Sequence, residues 1–99
     1  MNIVKNQNGN VLTVSLEGRL DTTTSPQLEN ELRTALDGIE ELNLNLEKLD
    51  YISSAGLRVL LSAQKLMNRQ GHMAVRGVKP EIMEIFEVTG FVDIMTIEE

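Results

Sequence analysis

The chain has 99 residues, of which 41% are hydrophobic, so it can form one domain, covering residues 1–99, with a core of its own. It contains no cysteine, which excludes disulfide bonds, thiolate catalysis and cysteine-based metal sites. The net charge of −6 and the three aromatic residues argue against nucleic-acid binding, which needs a basic patch and side chains that stack on bases.

The sequence also lacks the apolar segments that direct a protein to a membrane. Its first five residues do not begin the long apolar run of a signal peptide. No run approaches the roughly 18 apolar residues of a membrane span. We therefore expect a cytoplasmic protein that makes no contact with a membrane.

The first part of the chain predicts a strand hairpin and then a helix. Asn8-Gly9-Asn10 is a turn signal between two short strands, and the second strand alternates apolar with polar residues. Ser25 is typical of a helix N-cap, and Pro26 of the first helical position. Gly38 is expected to end this helix.

The middle of the chain predicts a strand and the longest helix. Leu42, Leu44 and Leu46 alternate with polar residues, which indicates a strand with one buried face. The helix after Ser54 has a wide apolar arc and should end at Gly71.

The last part of the chain predicts a strand, a helix and another strand. A short strand is expected at Met73–Val75, and Lys79-Pro80 should open a helix that closes near Gly90. Val92–Ile97 is typical of a final edge strand.

Strands that alternate with helices imply parallel strands joined by right-handed crossovers. The strands alternate in polarity instead of being apolar throughout, so the helices should pack mainly on one face. Asn43 and Asn45 would lie on the other face, partly in water, because a buried amide without partners is costly. The predicted fold class is α/β, with an α+β layout. The sheet is mixed and mostly parallel, with an N-terminal antiparallel hairpin and three main helices.

The carboxyl ends of the parallel strands should gather polar residues at one edge of the sheet, where sites in open α/β sheets lie. Three loops are expected to meet there, at residues 21–25, 50–56 and 77–79. The first of them carries Asp21, Thr22 and Thr23.

The segment Tyr51–Leu57 is the most informative for function, because it joins a strand to the longest helix. A helix start offers unpaired N–H groups and a partial positive charge, which stabilise an anion. Gly56 should let the backbone come close to whatever binds. Two interpretations of Ser53 and Ser54 stay open: one of them is only an N-cap, or one is phosphorylated.

Residues for catalysis or for a bound cofactor are not evident. There is no G-x-S-x-G motif and no glycine-rich phosphate loop. The only histidine, His72, should lie at the opposite end of the sheet from Ser54. Asp21 and Asp50 alone are a thin ligand set for a metal. We expect a protein that is not an enzyme and has no cofactor and no metal.

Leu49-Asp50-Tyr51-Ile52-Ser53-Ser54-Ala55-Gly56-Leu57 resembles the phosphorylation motif of STAS domains, specifically of bacterial anti-sigma factor antagonists. Leu16-Glu17-Gly18-Arg19-Leu20-Asp21 is similar to that family's second strand and following loop. The resemblance spans essentially the whole chain and implies a STAS-like fold.

The resemblance implies that the protein switches partners. When unphosphorylated, such an antagonist binds an anti-sigma factor that is also a serine kinase, and this frees a sigma factor. The kinase uses ATP to phosphorylate the antagonist, which breaks the complex, and a separate serine phosphatase resets it. By position Ser54 matches the phosphoacceptor and Asp21 a residue close to it, while Ser53 stands where many members carry aspartate.

We expect the protein to be a monomer when free. The basic face of the longest helix, with Arg58, Lys65 and Arg69, is either a solvated face or a docking surface for an acidic partner. The residues expected at the partner interface are Asp21, Thr22, Thr23, Ser53, Ser54, Gly56 and Arg58.

Two rival functions compete with this interpretation. A receiver-like domain phosphorylated on Asp50 should have an acid pair after its first strand and a lysine after its last, and neither is present. A STAS subunit of a transporter or a signalling scaffold, which acts by binding without a phosphorylation switch, remains the alternative.

Overall fold

A computed structural model describes residues 1–98 and contains, within them, five strands and three α-helices in the predicted order. A single turn of 3-10 helix at Phe91–Asp93 precedes the last strand. The elements are β1 (Asn2–Asn8), β2 (Val11–Leu20), α1 (Ser25–Ala35), β3 (Glu41–Ile52), α2 (Ser54–Gln70), β4 (His72–Arg76), α3 (Pro80–Thr89) and β5 (Thr96–Glu98).

The strands lie in the sheet in chain order, β1-β2-β3-β4-β5. β1 is antiparallel to β2, and the three other pairs are parallel. Because each crossover advances by one strand in the same direction, right-handed connections put all three helices on one face. The predicted fold class is therefore confirmed, including the antiparallel hairpin at the N terminus.

The core lies between this sheet face and the helices. Its central side chains are 0–4% exposed, since the leucines of β2 and β3 alternate toward the helices as predicted. These buried residues include Leu12, Val14, Leu16, Leu42, Leu44, Leu46, Leu28, Leu32, Leu60, Met67, Ile82 and Phe86.

The helix-free face is polar, but one part of it is more buried than the sequence indicates. Asn43 is only 5% exposed, because Thr13 and Ala74 flank it on the neighbouring strands. Its amide nitrogen donates to Glu41 at 3.2 Å, whereas its Oδ1 has no hydrogen-bond partner within residues 1–98. Asn45, on the same face, is half-buried as expected.

The predicted final strand at Val92–Ile97 is wrong in its first half. Phe91–Asp93 form the 3-10 turn, and only Thr96–Glu98 pair with β4. The ring of Phe91 stacks on that of Phe86, with centroids 6.4 Å apart. This segment therefore packs on α3 through a side chain before the backbone reaches the sheet.

Two further boundaries differ from the prediction. Thr24, not Ser25, is the N-cap of α1, and Ser25 is a buried first helical residue whose hydroxyl donates to the Asp21 carbonyl at 2.5 Å. β3 extends to Ile52, so the expected loop at 50–56 shortens to Ser53 alone. None of the helices that the structure describes has the length and apolar character needed to cross a membrane.

Candidate functional site

The three loops meet at the carboxyl edge of the sheet, as predicted. Leu20 and Ile52 are in register at the ends of β2 and β3, and the Ser53 N–H donates to the Leu20 carbonyl at 2.9 Å. Lys79 reaches across from the start of α3, and its Nζ lies 2.6 Å from Asp50 Oδ1. Each loop is thus tied to the next by a direct polar contact.

The two serines at the start of α2 have different roles. Ser53 is the N-cap, with an extended backbone, and its Oγ accepts from the Gly56 N–H at 3.3 Å. Ser54 is the first helical residue, is exposed, and its hydroxyl makes no hydrogen bond within residues 1–98. The structure therefore assigns the capping role to Ser53 and leaves the Ser54 hydroxyl available at a helix N-terminus.

Gly56 does not bring the backbone close to a ligand, and that expectation is wrong. The residue is buried, and a Cβ built on it would lie 2.7 Å from Leu20 Cγ and 3.0 Å from Ile52 Cγ1. The close approach that glycine permits is between α2 and the core. Gly56 therefore positions the first turn of α2 and does not itself form part of an exposed surface.

The loop after β2 is organised around the Asp21 carboxylate. Its Oδ1 accepts from the backbone N–H groups of Thr23 and Thr24, both at 3.0 Å. The Thr24 hydroxyl accepts in return from the Asp21 N–H at 2.9 Å. The two bonds to Oδ1 stabilise the charged form, and the one from the Thr24 backbone is the main reason that the pKa of Asp21 lies below its ordinary value.

This bonding leaves the other loop residues free to face solvent. Thr22 and Thr23 are exposed, and Asp21 is half-buried. Thr22 and Arg58 line one groove between the first turns of α1 and those of α2, so the structure brings these two predicted residues together. Arg58 is exposed and pairs with no carboxylate within the described part of the chain.

The sequence interpretation missed a pair of exposed residues near the ends of β2 and β3, on the sheet face opposite the helices. The guanidinium carbon of Arg19 lies 4.2 Å from the centre of the Tyr51 ring, which is cation–π geometry. The two residues are register partners only because the β2–β3 ladder shifts between Gly18 and Arg19. No local sequence pattern predicts such a register shift, so the sequence did not indicate this contact.

The electrostatics of the site favour an anion at Ser54. α2 contains no acidic residue, and the exposed Arg58 lies about one turn after Ser54. Lys65 and Arg69 are exposed too, but they lie about 16 Å or more from Ser54 along the helix axis and contribute little at this site. The unpaired N–H groups of the first turn add a partial positive charge. By contrast His72 is exposed at the first position of β4, at the other end of the sheet, as predicted. The geometry therefore suits acceptance of a phosphate and offers no imidazole to activate a serine.

Comparison with known proteins identifies the family to which the chain belongs. A family model for the STAS domain matches residues 2–99. The chain belongs to the STAS domain family. The match leaves out only the first residue, so this STAS domain accounts for essentially all of the sequence.

Two curated relatives of this STAS domain are named for the same role. BtrV of Bordetella bronchiseptica, a candidate anti-sigma factor antagonist, is 42% identical over 89 residues, which cover 88% of this chain and 77% of BtrV. The anti-sigma-B factor antagonist of Staphylococcus aureus is 34% identical over 88 residues, covering 87% of this chain and 82% of that protein.

The fold of this STAS domain also matches a solved anti-sigma factor antagonist, SpoIIAA of Bacillus. The unphosphorylated form superposes with a TM-score of 0.79 at 16% identity, covering 99% of this chain and 88% of the other. The phosphorylated form gives 0.78 at 18% identity, covering 99% and 92%. At such low sequence identity, the superposition shows that the two proteins share a fold and nothing more.

Proposed function

We propose that this STAS domain is an anti-sigma factor antagonist that works by binding and is switched off by phosphorylation of Ser54. When unphosphorylated, it binds an anti-sigma factor and thereby frees a sigma factor. The observation that carries the proposal is the exposed, unbonded Ser54 hydroxyl at the start of α2, beside a separate capping serine. The names of relatives that are 34–42% identical support the same role.

A phosphate on Ser54 can change the interface without changing the fold. It adds roughly −1.5 to −2 charges, and the helix N-terminus and Arg58 stabilise them locally. The Ser53 cap and the Asp21 loop do not use the Ser54 hydroxyl, so their hydrogen bonds survive the modification. A partner seated on this edge meets a bulky dianion in place of a small hydroxyl and dissociates.

The partner that we propose is an anti-sigma factor with serine kinase activity. The Ser54 oxygen forms a bond to the γ-phosphorus of ATP, the bond to ADP breaks, and the hydroxyl proton leaves to a base of the kinase. A separate phosphatase hydrolyses the phosphoserine and restores binding. The antagonist itself supplies an acceptor oxygen and a docking surface and performs no catalysis. Asp21, Thr22, Thr23, Ser53 and Arg58 surround the acceptor as contact residues.

The test uses Ser54→Ala as bait, because this variant keeps the unmodified surface. Proteins captured by it and absent with Ser54→Asp are identified by mass spectrometry, and the captured kinase is purified and incubated with ATP and the natural chain. We expect one phosphate, on Ser54. Phosphate on Ser53, or equal capture by both variants, contradicts the switch, and equal capture favours the alternative of a transporter or scaffold subunit.

A further inference from the structure

The net charge of the chain is confined to one segment. Residues 1–79 contain nine basic and nine acidic side chains, whereas residues 80–99 contain six acidic ones and none that is basic. The whole excess of −6 therefore lies in α3 and the residues that follow it. This distribution is separate from the Ser54 site, whose helix is basic.

α3 places acidic and apolar residues together on its outer side. Glu81, Glu84 and Val88 have the spacing of one helical stripe, opposite the buried Phe86. Ile85, next to this stripe, is partly buried against the core. Val88 is 82% exposed, the largest value among the exposed large hydrophobic residues that the structure describes. A valine in that position contributes nothing to the core.

The segment after α3 extends this surface. Gly90, with a φ of 80°, turns the chain, and the stacking of Phe91 on the helix holds the following residues against α3. Val92 is 37% exposed, Ile94 is 49% exposed, and Asp93 between them is exposed too. The apolar side chains are thus held on a packed support. We label the 3-10 turn at Phe91–Asp93 η1 and define the α3–η1 surface as Glu84, Val88, Val92, Asp93 and Ile94.

The acidic groups of this segment are not neutralised from within. Glu98 is paired with Arg76, Nε to Oε1 at 2.6 Å. Within residues 1–98, no Lys, Arg or His nitrogen lies within 4.0 Å of the carboxylates of Glu81, Glu84 or Asp93. The negative charge is therefore available to an external cation.

We propose that the α3–η1 surface is a second docking surface, and that it binds a basic amphipathic helix of a partner protein. The apolar stripe of that helix covers Val88, Val92 and Ile94, and its lysines or arginines lie over the surrounding carboxylates. Charge complementarity selects this occupant. A second copy of this chain carries −6 overall and is repelled at long range.

The surface is remote from the phosphorylation site, so the inference does not rest on the proposed function. α3 begins at the carboxyl edge of the sheet, where Lys79 contacts Asp50. Val88 lies eight residues further along α3, which is about 12 Å along the helix axis and toward the opposite edge. A partner held here can stay bound whether or not Ser54 carries a phosphate.

The probe for the test is a synthetic peptide of about 18 residues with leucine and lysine at helical spacing, called the lysine peptide. The control is the glutamate peptide, which has the same sequence with glutamate in place of every lysine. Each is titrated into the full ¹⁵N-labelled chain, and amide shifts are followed by NMR. We expect the lysine peptide to shift amides of residues 84–94 and the glutamate peptide to leave them unchanged. Val88→Ser with Val92→Ser should weaken binding by about tenfold or more, since both are apolar anchors.

Val4→Ser is the matched control, because Val4 is 48% exposed on β1, outside the surface, and its loss should leave the affinity unchanged. Ser54→Asp should also bind the lysine peptide with unchanged affinity, whereas it should lose the anti-sigma factor. The proposal is overturned if both peptides shift the same amides, if the lysine peptide shifts α2 instead, or if no amide moves. Shifts at 84–94 that grow with protein concentration alone would assign the surface to a second copy.

Discussion

The hydroxyl oxygen of Ser53 accepts a hydrogen bond from the Gly56 N–H at 3.3 Å, and this bond separates the two neighbouring serines by role. Ser53 stabilises the helix start from the inside of the turn. Ser54, one residue later, projects into solvent with nothing bound to its oxygen among the described residues. Modification of Ser54 therefore need not uncap α2.

Substituting Ser54 tests the switch directly. Ser54→Asp should lower affinity for the anti-sigma factor by at least about tenfold, because a fixed negative charge occupies the interface. Ser54→Ala should bind like the natural chain and accept no phosphate. The measurements are isothermal titration calorimetry and far-UV circular dichroism, with Asn6→Asp, at an exposed residue of the edge strand β1, as the control. Tight binding by Ser54→Asp would count against the switch.

Removing the Ser53 cap should lower the stability of the fold more than removing the Ser54 hydroxyl does. Ser53→Ala loses the only side-chain cap of α2 and should lower the free energy of unfolding by about 0.5–2 kcal/mol. Ser54→Ala should change it much less, because its hydroxyl makes no bond within residues 1–98. Urea denaturation measures both values. Equal losses for the two variants would show that the capping assignment is wrong.

A methyl group at Gly56 should strain the packing of α2. The added Cβ would lie 2.7 Å from Leu20 Cγ, and overpacking of this kind costs about 1–3 kcal/mol of unfolding free energy. Ser62→Ala, on the exposed side of the same helix, is the control and should lose little. If Gly56→Ala matched the control in urea denaturation, the contact with Leu20 would not be as tight as described.

The Asp21 carboxylate should make stability depend on acidic pH. Its pKa is below the ordinary value of 3.8 because Thr24 and Thr23 donate to it, so the charged form stabilises the fold. That contribution is present above the unfolded pKa and is lost as the pH falls through the folded one. In urea denaturation at pH 5 and at successively lower pH, Asp21→Asn should show a weaker pH dependence than the natural chain.

Reversing the charge of Arg58 should weaken docking of the anti-sigma factor. Arg58 lines the groove with Thr22 beside the acceptor, so Arg58→Glu should lower the association rate, and added salt should reduce the difference. Arg69→Glu is the control, since it changes the same charge about 16 Å further along α2. Equal effects in stopped-flow binding would indicate that only net charge matters.

The sequence predicted most of the fold, because its signals are local. The Asn8-Gly9-Asn10 turn and the alternating leucines of β3 follow from short-range backbone and burial preferences. The N-terminus of the longest helix was placed within one residue, and the resemblance of Leu49–Leu57 to the STAS motif indicated the family. The strand predicted at Val92–Ile97 failed because the stacking of two phenylalanine rings draws its first half onto α3.

The sequence by itself determined the order of the helices and strands, the polar edge of the sheet and the segment that contains the proposed phosphoacceptor. Only the tertiary structure decided that Ser53 caps while Ser54 faces solvent, that Gly56 faces Leu20 instead of a ligand, and that Arg19 lies over Tyr51. The physical reason is that hydrophobic periodicity and caps act over a few residues. The direction of one hydroxyl, the space for one Cβ and the register of two strands depend on packing between distant parts of the chain.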